Sequence, residues 1–362
     1  MNFGLTEDQE ILKATVKRFL DEQCPTTRVR AVMESSDGHD AELWRGLAEL
    51  GVTGLQVPAV YGGSGLELLD LGLVAEELGH AATPGPFLNH SLAALALLEG
   101  GDAAQREQWL PRLASGEVIG TVALGEDGSQ WDPRAWQTTG SSGRLNGRKP
   151  LVPYAGLADL IVVAARDEAG PALWMVDKGA AGMEITPLRV VDMTRHLAAV
   201  TFRDTPAVRL NGPADALQRI LDAGCVLLAA DAFGGARRCL EMATEYALTR
   251  EQFGQVIGAF QAVKHQLADM ATELEPSLAL WWYAAHAFDR IRDQSERHAA
   301  LAKAHLSDVF DSIARHATEL HGGIGFTWEF DLHLWFRRSV FDRGFLGDAA
   351  YHRRRAADLA GW

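Results

Sequence analysis

Two segments of this chain carry residues able to grip phosphate. The first, REQFGQVIGAFQ at 250–261, opens on Arg250. Its guanidinium stays charged at any working pH and presents a planar fork of donors matched to phosphate oxygens. A plainer role, pairing at a helix end with Glu245 or Glu251, is open to the same residue. The second segment, HGGIGFTWE at 321–329, sets Gly322 beside Gly323 after a run of helix formers. Without Cβ atoms these residues let the backbone turn sharply and come close to a phosphate, or simply end the preceding helix.

Other chemistry is thin. His316 and His321 lie five apart on a helix and so do not share a face as an i, i+4 metal pair would. Cys24, Cys225 and Cys239 are scattered without a CxxC pair, which suggests neither a disulfide framework nor a zinc ribbon and fits a reducing cytoplasm. The Trp281, Trp282 and Tyr283 cluster reads as bundle packing or a subunit interface, and the HRRR run at 352–355 as a solvated helix face. The net charge of −14 argues against nonspecific nucleic-acid binding, which needs a basic face. An anionic ligand must therefore be held by local arginines and backbone amides. The acidic start MNFGLTEDQE and the lack of a long apolar run predict neither a signal peptide nor membrane insertion.

The elements that must position these residues fall into three regions. With 362 residues, 47% of them hydrophobic, the chain exceeds one typical compact domain. Apolar residues at helical spacing between Leu5 and Cys24, opened by a Thr6/Gln9 capping box, predict an amphipathic helix, and further helical patterns run to about Glu99 around a TPGP break. Residues 1–117 thus read as a helical domain. From 118 to 210, short β-rich runs (VIGTVAL, LIVVAA, PALWMV, LAAVTF) separated by Gly, Asp, Ser and Pro predict a small antiparallel barrel or sandwich. From 211 to 362, helical stretches at 214–223, 225–248, from 260 past 283, and at 295–320 predict a four-helix bundle.

A mainly α chain with a central β domain, carrying LTEDQEILKATVKRFL, VPAVYGGSG, QREQWLPRLASGE, RxQFG followed by FQ, and HGGIGF in this order, resembles the acyl-CoA dehydrogenase family nearly end to end. The resemblance implies FAD held between subunits, an acyl-CoA substrate that loses a proton and a hydride from neighbouring carbons, and an electron-transfer flavoprotein as acceptor. It also implies that Arg250, Gln261, Gly322 and Gly323, with Phe253 in register, reach the FAD of a neighbouring subunit. The plainer alternative for Gln261 is ordinary polar capping. Glu319 stands where the family usually has glutamine and would bring negative charge toward a pyrophosphate.

The proton abstraction needs a carboxylate with a raised pKa facing the flavin. By counting from the glycine motif, the family's glutamate position is Leu346, and the alternative position on the preceding long helix is Gly224; neither can take a proton. The β domain departs likewise. The family's ALTEP-like and KxWIT-like segments, which contact the flavin ring, read here ALGED and KPLVP, with Gly125, Leu151 and Pro153 at the threonine, tryptophan and second threonine. Selective loss on this side, with retention of the groups offered to a neighbour, resembles the base-lacking subunit of actinobacterial α2β2 acyl-CoA dehydrogenases, several of which take steroid side chains. A self-sufficient homo-oligomer using a displaced Asp348 or Asp231, a flavin monooxygenase or oxidase of the same fold, and a purely binding or structural subunit remain open.

Overall fold

Thr6 and Gln9 reciprocally cap the first helix, the Gln9 amide donating to Thr6 Oγ1 at 3.3 Å and the Thr6 amide to Gln9 Oε1 at 3.0 Å. From there the computed structural model describes residues 4–128 and 131–362. Its helices are α1 (Glu7–Gln23), α2 (Thr26–Met33), α3 (Ala41–Glu49), α4 (Leu68–His80), α5 (Phe87–Gly100), α6 (Ala103–Ala114), α7 (Ala216–Thr249), α8 (Gln261–Leu274), α9 (Ser277–Arg290), α10 (Arg292–His321), α11 (Leu332–Gly344) and α12 (Ala349–Leu359). The strands are β1 (Gly120–Ala123), β2 (Thr139–Ser141), β3 (Arg144–Pro153), β4 (Leu160–Asp167), β5 (Gly170–Asp177), β6 (Met183–Pro187), β7 (Leu197–Pro206), β8 (Val208–Arg209), and a hairpin of β9 (Glu251–Gln252) and β10 (Gln255–Val256).

Contacts divide the chain into two compact units, one of Met1–Arg30, Gly72–Thr83 and Cys225–Trp362, the other of Ala31–Leu71 and Pro84–Gly224. In the second, strands β6-β7-β3-β2-β4-β5-β8 form one sheet, and β1 joins it by pairing with β4. Most pairings are antiparallel, but β1 and β2 both run parallel to β4, which short-range alternation cannot reveal. The sheet core is built from Val163, Trp174, Val200 and Phe202 with their small neighbours. Helix α5 is buried along nearly its whole length, as its all-round apolar composition requires.

The helical unit departs from a simple reading of its pattern in three ways. The stretches around Gly224 form one uninterrupted helix of 34 residues, because a single interior glycine costs only about 1 kcal/mol and packing on both sides outweighs it. The stretch from 260 past 283 breaks at Pro276, whose ring cannot continue α8, so α9 starts afresh. Finally, α11 follows the glycine motif where the periodicity marks no helix, and the HRRR run expected on a helix lies in α12. Helix α4 lies against α7 so closely that a Cβ at Gly79 or Gly234 would strike the backbone of Asp231 or Glu76. Across this contact Arg237 reaches Glu76 at 2.5 Å and Glu77 at 2.9 Å, and Lys13 reaches Glu76 at 2.8 Å. No helix among the described residues is long and apolar enough to cross a membrane.

Candidate functional site

The two segments expected to bind phosphate meet through aromatic rings. Tyr246, one turn before Arg250 on α7, stacks on His321 at 4.3 Å between centroids, and His321 packs on Phe330 at 4.6 Å. The His321 Nδ1–H donates to the Ala317 carbonyl at 2.7 Å, while burial holds its imidazole pKa below the usual value. A neutral ring is therefore clamped between the end of α7 and the end of α10. It ties the Arg250 segment to the Gly322 segment although 71 residues separate Arg250 from His321 in sequence.

Each segment is open on its outer side. Arg250 closes α7, and its guanidinium makes no hydrogen bond or ion pair among the described residues. Glu245 turns instead to Arg238 at 3.5 Å, so the plainer pairing role for Arg250 is not taken up. After Arg250 the chain makes the β9–β10 hairpin, whose tip, Phe253 at φ +54° and Gly254 at φ +79°, leaves Phe253 93% exposed. Phe253 meets Phe260 edge-on at 6.2 Å, and Gln261 follows as the first residue of α8, its exposed side chain likewise without a partner among the described residues. Gly322 sits at φ +62°, ψ −141°, a conformation close to glycine alone, and nothing lies within 4 Å of a Cβ built on Gly322 or Gly323. A free guanidinium, an open glycine pair and the first amides of α8 suit the phosphates of a dinucleotide. Glu319 is exposed in the last turn of α10 beside this cradle.

The positions tied to proton abstraction are different in kind. Leu346 is buried at φ +61°, followed by Gly347 at φ +106°. This bend is fastened from within: Lys303 Nζ donates to the carbonyls of Asp342 and Gly347 at 2.6 and 3.0 Å and to Ser307 Oγ at 2.9 Å. His352 Nε2 donates to the Leu346 carbonyl at 2.9 Å. Burial pushes the Lys303 pKa down to about 8 and that of His352, also repelled by Lys303 and Arg355, down to about 3. Gly224 is buried inside α7.

The two displaced acids are both engaged. Asp348 caps α12, accepting the Tyr351 amide at 2.7 Å. Asp231, 5% exposed, takes both arms of Arg338 at 2.8 and 2.5 Å, while Arg338 also donates to the Thr83 carbonyl at 3.0 Å. At 1.5 Å per residue, Asp231 stands about 28 Å along α7 from Arg250. In the β unit, Thr121 Oγ1 donates to the Pro153 carbonyl at 2.5 Å, and the β3–β7 register slips between Lys149 and Val152, so Leu151 sits on a bulge. Tyr246 and Lys303 were not marked by sequence reasoning, Tyr246 having only the signal of its i, i+4 spacing from Arg250; His352, expected with the HRRR run on a solvated helix face, is instead buried because it turns in to the Leu346 carbonyl, while Arg353 and Arg354 stay exposed.

Comparison with known proteins places these elements. Residues 6–117 match the family described as Acyl-CoA dehydrogenase, N-terminal domain, and residues 211–360 match Acyl-CoA dehydrogenase, C-terminal domain. The acyl-CoA dehydrogenase IpdE2 of Mycolicibacterium smegmatis is 34% identical over 352 residues, covering 97% of this chain and 98% of that one. A variant of the Tcur3481–Tcur3483 steroid acyl-CoA dehydrogenase is 32% identical with a TM-score of 0.92, covering 98% of both chains. The ChsE4–ChsE5 complex of Mycobacterium tuberculosis is 28% identical with a TM-score of 0.91, covering 100% of this chain and 99% of that one. With its helical N-terminal region, curled central sheet and C-terminal helices, the chain belongs to the acyl-CoA dehydrogenase family, oxidoreductases that use FAD.

Proposed function

We propose that this chain is the base-lacking subunit of a hetero-oligomeric acyl-CoA dehydrogenase and completes an FAD site held largely by a homologous sister subunit. The observation that carries this reading is the pairing of an exposed Arg250, unpartnered among the described residues, and an open Gly322–Gly323 turn with base positions occupied by Leu346 and Gly224. Arg250 clamps phosphate oxygens, the Gly322 and Gly323 backbone lets them approach, and Gln261 adds an amide at the start of α8. Phe253 supplies exposed apolar surface beside them. Bound FAD supplies the hydride acceptor; the carboxylate that removes the α-proton comes from the sister subunit.

Support for two different chains comes from two structural relatives, Tcur3481–Tcur3483 and the ChsE4–ChsE5 complex, each made of two components. One of them is a steroid acyl-CoA dehydrogenase, which favours a bulky acyl-CoA thioester as substrate here. An electron-transfer flavoprotein is the acceptor we expect. The test is to purify the chain alone and together with a homologous subunit that retains the glutamate, then measure bound flavin and acyl-CoA oxidation. The pair should carry one FAD per two chains and turn over, and the lone chain should do neither. A lone chain with full flavin and full turnover sinks the proposal.

A further inference from the structure

Gly125, in ALGED, stands where the family has a threonine that meets the flavin ring. Its φ is not left-handed, so conformation does not demand glycine there. Space does: a Cβ built on Gly125 would meet Cζ3, Cη2 and Cε3 of Trp131 at 2.6, 2.8 and 2.9 Å, closer than real side chains pack. The Cε3–Cζ3–Cη2 side of the indole's six-membered ring thus lies against this glycine, and Trp131 is only 5% exposed.

The surroundings are tied down. Glu126, the next residue, accepts the backbone amides of Gln137 and Thr138 at 2.5 and 2.9 Å. From β3, Lys149 Nζ donates to Glu126 and to the Leu124 carbonyl, each at 3.0 Å, and lies 4.4 Å from the centre of the fully buried Trp136 ring. Burial works to raise the Glu126 pKa, but the Gln137 amide, Lys149 and Thr138 outweigh it and keep the carboxylate charged. These bonds hold segment 136–138 back on 124–126, the same stretch that Trp131 covers. The residues present do not fit a flavin ring on this face.

We infer that this subunit's own flavin face is closed by its own indole: Trp131 occupies the approach to Gly125 and excludes a planar cofactor from the β unit. The inference rests on the division of labour proposed above and deepens it, because the lost contacts at Gly125, Leu151 and Pro153 then accompany a filled space instead of an open one. It also separates two explanations for a lone chain without flavin, weak contacts and steric closure.

Both arms of the test use the full-length chain without a partner. In the first, Gly125→Ala is made with and without Trp131→Leu, and Tm is followed. Overpacking against the indole should lower Tm by roughly 2–8 °C in the otherwise unchanged chain, and most of that drop should vanish beside Trp131→Leu. An equal drop in both backgrounds overturns the contact. In the second, riboflavin is titrated and its fluorescence followed with the parent chain, Trp131→Ala and Trp131→Leu, each first checked for a cooperative melt. At least one folded Trp131 variant should bind riboflavin about tenfold or more tighter than the parent, as an opened apolar cavity takes up a flat ligand. Equal affinity in parent and variants, or no binding in any, overturns the closure. These readouts need no sister subunit, so they fail or succeed independently of the FAD count in the complex.

Discussion

The bend at Leu346 and the bend at Gly322 both follow helices of the same unit, and they treat polar groups in opposite ways. At Leu346 the polar groups are turned inward: Lys303 and His352 spend their protons on backbone carbonyls, and nearby Asp348 caps the helix that follows. At Gly322 the polar groups face outward, with Arg250 and Gln261 unpartnered among the described residues and open space above both glycines. A buried polar group must find a partner inside the chain, whereas an exposed one is free for a ligand. The contrast teaches that the first bend has become scaffold and the second remains available for binding.

The largest expected effect concerns a residue that could break this contrast. Asp231→Asn leaves the buried Arg338 guanidinium without its charge partner and should cost about 3–5 kcal/mol, read as a large fall in Tm or loss of folded protein. If Asp231→Asn instead melts like the parent but abolishes acyl-CoA oxidation, Asp231 is a catalytic acid or base and the contrast fails. Next comes acid sensitivity at the Leu346 bend. The His352 pKa is depressed to about 3 from 6.5, so between those values the unfolded chain binds a proton that the folded chain refuses. Stability should therefore fall as pH drops below about 6.5, by up to roughly 1.4 kcal/mol per pH unit from this side chain. A denaturation series from pH 7 to pH 4, with His352→Gln flattening the slope, measures it.

Arg250→Ala should leave Tm unchanged but weaken FAD retention in the two-chain complex by about 10–100-fold, as expected for loss of charge-assisted bonds to phosphate. Equilibrium dialysis of the complex against free FAD reads this directly, and unchanged retention would place the cofactor elsewhere. The smallest effect belongs to Asp348→Asn. Asparagine caps helices about as well as aspartate, so stability should change by no more than about 0.5 kcal/mol and turnover of the complex should persist. Loss of turnover in that variant alone would return Asp348 to the role of base.

Much of this was legible from local pattern. The capping box of α1 and the strand runs of the sheet follow from side-chain period and cap chemistry, which act within a few residues. The unbroken α7 was not, since Gly224 reads as a stop and only packing along both sides of the helix carries it through. Helix α11 was missed because its inner side combines an indole and a charged group, Trp335 and Arg338, instead of a plain apolar stripe. Both prove buried, Trp335 with its indole on the Gly79 carbonyl at 3.1 Å and Arg338 on Asp231. Of the site, the Arg250 and Gly322 segments were visible as motifs, while Tyr246 and Lys303 were not, since the His321 ring on Tyr246 and the carbonyls that Lys303 meets lie 75 and 39 or more residues away in sequence.

By itself the sequence determined the residue types on offer: a phosphate-matching arginine, a glycine pair, no acid at Leu346 or Gly224, and glycine at position 125. Those are facts of identity and spacing, settled without knowing where the chain goes. Tertiary structure alone decided which of the polar groups would be consumed. It turned Asp231 to Arg338 and Lys303 to a backbone bend, left Arg250 without a partner among the described residues, and laid Trp131 over Gly125. The physical reason is that desolvation and pairing depend on what packs nearby in space, and these partners come from distant parts of the chain or from side-chain directions that spacing does not specify.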